Sequence, residues 1–141
     1  NKYIVTSLCM NPFGKIDGKN ITIPIYLFSS NLDSVISPLM HGVSSSPEDI
    51  YYSFNSITKP EEKLFANFKD MDHNAVIDHK AHLATSGKAS IFLPSMVSWF
   101  KVYLAKQDQY QVYLDTTTVE YQEFKNRYVS KGQVPDYRYL K

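Results

Sequence analysis

The sequence predicts an α/β fold of about three parallel strands with flanking helices. Three observations carry that expectation. Residues 21–28 (Ile-Thr-Ile-Pro-Ile-Tyr-Leu-Phe) end in a continuous apolar run, the pattern of a strand buried on both faces of a parallel sheet. Residues 63–68 read as a further strand. Between the two, Ile50, Tyr51, Phe54 and Ile57 recur at helical spacing, and parallel strands need such a crossover.

In chain order, residues 3–8 are a β-branched and aromatic run and read as the first strand. Asn11-Pro12-Phe13-Gly14 and Asp17-Gly18-Lys19-Asn20 are dense in turn formers and read as a loop. Pro24 has no N–H to give a sheet ladder, so it belongs near the start of the second strand. Residues 29–38 read as a polar loop containing Asp33. Pro47 suits a first helical turn, and Glu48 and Asp49 follow where a helix N-terminus favours acids. The loop after the third strand carries Asp70, Asp72 and His73.

From Ile91 the period becomes helical. Ile91, Met96, Val97, Phe100, Tyr103 and Leu104 suit one buried face, with Lys101 and Lys106 outside it and Pro94 in the first turn. Residues 110–114 read as a short continuation. Residues 119–129 form a second amphipathic stretch through Val119, Tyr121, Phe124 and Tyr128, which Gly132 can stop. Residues 134–141 read as an extended tail. This divides the chain into residues 1–114 and a C-terminal helix and tail, residues 115–141.

Composition excludes several classes. The chain has 141 residues, one domain's worth by length alone. Lys plus Arg is 15 against 14 Asp plus Glu, so there is no basic footprint for nucleic acid or an anionic membrane surface. The single cysteine, Cys9, excludes an intramolecular disulfide framework and a multi-cysteine metal site. No apolar run approaches the roughly 18 residues of a membrane span. The first residues, Asn1 to Val5, carry neither a starting methionine nor a signal peptide, and the expectation is a piece of something longer.

The residues able to carry chemistry gather after the strands. Asp33 follows the second strand and His73 the third, and α/β sheets collect functional groups at such carboxyl ends. A carboxylate accepting from Nδ1–H fixes the imidazole tautomer and leaves Nε2 free to take a proton from a nucleophile. The alternative is two ordinary polar loop residues. His73, His79 and His82 with Asp70, Asp72 and Asp78 have no recognised zinc spacing and suit a solvated loop, so no metal or cofactor is expected. Cys9, in an apolar run, suits a small buried hydrophobe. Gly42-Val43-Ser44-Ser45-Ser46 lacks the final glycine of a nucleophile elbow and follows no strand. Asn20-Ile21-Thr22 fits a glycosylation sequon, a frequent chance match.

Taken in order, Asn11-Pro12-Phe13, Ile21-Thr22-Ile23-Pro24-Ile25-Tyr26, Leu32-Asp33-Ser34-Val35 with Pro38, Asp70-Met71-Asp72-His73 and Ser98-Trp99-Phe100-Lys101 resemble the C-terminal half of an α/β-hydrolase. The similarity is to the dienelactone-hydrolase-like group, which includes bacterial polyester hydrolases (cutinase-like lipases), chlorophyllases and platelet-activating-factor acetylhydrolases. It spans about residues 3–110. The resemblance implies that Asp33 is the triad acid, His73 the triad base, and Phe13 the aromatic platform beside the acyl group, where the family usually has Trp. It implies an ester substrate and slightly favours a secreted or periplasmic setting.

Two departures accompany it. No Gly-x-Ser-x-Gly occurs in the chain, and the family's C-terminal cysteine pair is absent. Since triad members follow in the order Ser, Asp, His, the expected nucleophile lies upstream of Asn1. Two functions remain open: a serine ester hydrolase part supplying Asp33 and His73, or a hydrolase-derived module for binding or assembly. Either way the first strand is expected to pair with the N-terminal half of the same domain or with a dimer mate.

Overall fold

One four-stranded sheet, its strands side by side in chain order, organises the described residues. The structure is a computed structural model that describes residues 4–10, 15–30, 47–60, 62–69, 89–129 and 136–140. Strands β1 (Ser7–Met10), β2 (Ile25–Ser30) and β3 (Lys63–Phe68) are parallel, and β4 (Asp136–Leu140) is antiparallel to β3. Among the described residues the α-helices are α1 (Pro47–Ser56), α2 (Ala89–Tyr103) and α3 (Val119–Val129), with 3-10 helices at Gly18–Asn20 and Asp108–Tyr113. The predicted parallel α/β sheet with flanking helices is therefore present.

Strand alternation sorts the side chains onto two faces. Ile25, Leu27 and Phe65 pack on Ile50, Phe54 and Ile57 of α1 and the turn after it. Tyr26, Phe28, Leu64 and Phe68 pack on the opposite face against Phe92, Met96 and Trp99 of α2 and Tyr121 and Phe124 of α3. Each such fully buried large apolar side chain contributes about 1.5–3 kcal/mol.

The second strand starts later than its apolar run suggests. Pro24 gives no N–H, and its carbonyl oxygen instead accepts from Ser7 N at 3.1 Å and Thr6 Oγ1 at 2.9 Å. The ladder begins at Ile25 and runs on through Ser29 and Ser30, which the polar pattern assigned to a loop. The first strand is likewise displaced, to Ser7–Met10.

The crossover from β1 to β2 is fastened to α1 by two serines. Ile16 N donates to Ser53 Oγ at 2.8 Å, and Gly18 N donates to Ser56 Oγ at 2.8 Å. Gly18 packs so closely on the turn after α1 that a Cβ would lie 2.8 Å from the Ile57 nitrogen. Lys15 pairs with Asp49 at 3.4 Å, an exposed contact of small energetic weight.

Helix α2 corrects the expected burial face. Met96 and Tyr103 are buried as expected, but their partners on that face are Phe92, Trp99 and Val102. Val97, Phe100 and Leu104 lie on the neighbouring stripe with Leu93, and all four are exposed. The helix is apolar on two adjoining stripes, and only the sheet decides which is covered. Pro94 sits inside the helix rather than in its first turn.

The turn that closes α2 ends at Lys106, whose φ of 56° lets Gln107 N reach back to Lys101 O at 2.9 Å. That turn separates residues 110–114 from α2, so residues 110–113 belong to the 3-10 helix, with Leu114 at its C-cap, and not to a continuation. The C-terminal segment is extended, as the pattern suggests, and residues 136–140 pair along β3.

Candidate functional site

β2 and β3 run in register from Ile25↔Lys63 to Ser30↔Phe68, so their carboxyl ends stop level. This is the sheet edge at which α/β folds hold ligands. Along the sequence, Asp33 comes three residues after Ser30 and His73 five residues after Phe68. Asp33, His73 and Phe13 themselves lie outside the described residues, as do His79, His82, Asp70, Asp72, Asp78 and residues 42–46.

The described residues build the floor beneath that edge. On the α2 side, Phe28 and Phe68 stack at 4.9 Å, and Phe92 meets Phe28 edge-on at 5.4 Å. Ring pairs of this geometry add about 0.5–1.5 kcal/mol beyond area burial and hold the two strand ends against α2. On the α1 side the floor is polar. Ser29 and Asn67 are direct register partners, and Ser29 is fully buried. Ser29 Oγ and Asn67 Oδ1 are both buried and have no hydrogen-bond partner among the described residues. The sequence reading did not single out either residue. The available signal was a polar residue breaking an apolar strand, second from its end, in each of two strands.

Cys9 is half-buried, with its sulfur 3.6 Å from Ser7 Oγ, and it packs on the α1-side core. That is the packing role its sequence context suggested. Among the described residues there is no group of three His, Cys, Asp or Glu that could hold a metal ion. Asn20 and Thr22 of the sequon are exposed. No helix of the described residues is long and apolar enough to cross a membrane.

The groups with shifted acidity lie away from the carboxyl edge. Burial pushes the Tyr26 hydroxyl well up, and burial pushes Tyr121 up to about 12. Burial pushes Lys63, at the opposite end of β3, downward. Each has a packing explanation. An open apolar groove of about 480 Å³ runs between α2 and the 3-10 helix, lined by Leu93, Pro94, Val97, Ser98, Tyr110 and Tyr113.

No family model matches the chain, and no curated protein matches it.

Proposed function

We propose that these residues are the acid-and-histidine part of a serine ester hydrolase. The observation that carries the reading is the level ending of β2 and β3, the adjacent parallel strands that precede Asp33 and His73 in the sequence. Neighbouring strands are about 4.8 Å apart, so the two strand ends lie side by side at one edge. In this reading a serine from outside these residues attacks the ester carbonyl. His73 Nε2 removes the serine proton and later gives it to the leaving alcohol. Asp33 accepts from His73 Nδ1–H and stabilises the imidazolium, and Phe13 flanks the acyl group. The reaction needs no cofactor or metal.

The test is hydrolysis of p-nitrophenyl esters by the full-length protein. His73→Ala and Asp33→Asn should each lower kcat by about 10⁴-fold, the scale of triad loss. Equal hydrolysis after His73→Ala overturns the reading. A fluorophosphonate probe should label a serine outside residues 1–141; labelling within them overturns the assignment of the nucleophile.

A second reading, a strand-binding or assembly module, rests on β1. Among the described residues β1 pairs with β2 alone, and Ile4, Val5 and Met10 beside or within it are each about half exposed (50%, 48% and 47%). An unpaired edge with apolar flanks is a template for a further strand, from the rest of the same domain or from a second copy. Sedimentation showing a stable, folded monomer of the 141-residue chain opposes this reading.

A further inference from the structure

We propose that Ser29 and Asn67 hold one buried water molecule between them, bridging the carboxyl ends of β2 and β3. The inference stands on the sheet's geometry and does not require the ester hydrolase reading.

Four observations support it. Ser29 and Asn67 are register partners on neighbouring parallel strands. Their side chains therefore leave the sheet on the same face, the face that carries Leu27 and Phe65. Ser29 Oγ and Asn67 Oδ1 are both buried and lack a partner among the described residues. On its other side Asn67 meets Asp136 of β4 in the backbone ladder, so Asn67 is flanked by strands on both sides.

The chemistry of the two groups is complementary to water. A serine hydroxyl offers one donor and two lone pairs, and an amide oxygen only accepts. A water that accepts from Ser29 Oγ and donates to Asn67 Oδ1 satisfies both. The distance also fits. Two hydrogen bonds of about 2.8 Å meeting near the tetrahedral angle span roughly 4.6 Å, close to the separation of adjacent strands of about 4.8 Å. Orphaned buried polar atoms are rare and costly in folded proteins, and buried waters typically serve such groups. The water ties together the ends of the two strands that precede Asp33 and His73 in the sequence.

Two measurements on the full 141-residue chain test this. The first is thermal unfolding of Ser29→Ala, Asn67→Leu and the double variant. A shared water makes each single change strand the remaining partner, so each should lower Tm by about 3 °C or more. The double variant removes both needs at once and should lose clearly less than the sum. Additive losses, or single changes that raise Tm, overturn the proposal. The second uses the unaltered chain, and so does not depend on any variant folding. A crystal structure at about 1.5 Å should show a water roughly 2.8 Å from both side chains. A protein group in that place, or direct contact between Ser29 and Asn67, overturns the bridge.

Discussion

Lys63 Nζ donates to the carbonyl oxygen of Ile57 at 2.7 Å, so the first residue of β3 closes the end of α1. It also donates to Phe54 O at 2.8 Å and lies 4.3 Å from the Phe54 ring centre. The last carbonyls of a helix have no partner within it, and a cation there also meets the negative end of the helix dipole. The same contacts hold the second crossover at a fixed height on the sheet. That height sets where β3 begins, and hence where it ends at the candidate site.

Lys63→Met keeps the apolar stem over Phe54 and removes both hydrogen bonds. It should cost about 1–3 kcal/mol, read as a lower denaturation midpoint at unchanged m. A variant as stable as the parent shows that water serves these carbonyls equally well.

Trp99 connects the α2 side of the core to the approach of β1. Its Nε1–H donates to Thr6 Oγ1 at 2.9 Å, and Thr6 Oγ1 donates to Pro24 O at 2.9 Å. Thr6→Val preserves the side-chain shape but leaves a fully buried indole N–H without an acceptor. The expected loss is about 1–3 kcal/mol. As Trp99 is the only tryptophan, its emission reports the change directly, and an unshifted spectrum with unchanged stability contradicts the relay.

Alkaline stability follows from the buried tyrosines. Ser95 spends its hydroxyl proton on Phe92 O at 2.9 Å, so the Tyr26 hydroxyl is the donor in their 2.8 Å bond. Folded Tyr26 and Tyr121 both hold their protons above the ordinary value of 10.0. The unfolded chain therefore loses protons first, and the stability these groups contribute is complete below pH 10 and falls as pH rises above it. Lys63 acts in the opposite sense, because its folded value lies below 10.5 and unfolding takes up a proton there. Stability measured from pH 9 upward should decline from about pH 10, and less steeply in Tyr121→Phe. A parallel decline in that variant removes Tyr121 as a cause.

Gly18 is required by close approach. A Cβ there would meet Ile57 Cγ1 at 2.1 Å and the Ile57 backbone at 2.8 and 2.9 Å. Backbone cannot yield as a flexible side chain can, so the crossover must lift from the turn after α1. Gly18→Ala should destabilise by about 1–3 kcal/mol or more and weaken the bond from Gly18 N to Ser56 Oγ. Chemical denaturation is the direct check, and a neutral effect shows that this contact relaxes freely.

Much of the secondary structure was legible in the chain. Residues 63–68 and 119–129 fall where alternation and helical period set them, because both signals are local. The α1 face of Ile50, Phe54 and Ile57 was equally readable. The candidate site was legible only as an order of motifs, Asp33 after one strand and His73 after the next.

The sequence by itself determined the α/β class, the parallel crossover through α1 and the apolar character of α2. Tertiary structure alone decided which stripe of α2 is buried, since Phe92–Met96–Trp99 and Leu93–Val97–Phe100 are equally apolar and only the sheet selects between them. It also decided that residues 136–140 lie beside β3, that Lys63 closes α1, and that Ser29 faces Asn67. The reason is physical. Periodicity is set by dihedral angles along one segment, whereas strand register and helix rotation are set by contacts between segments far apart in the chain.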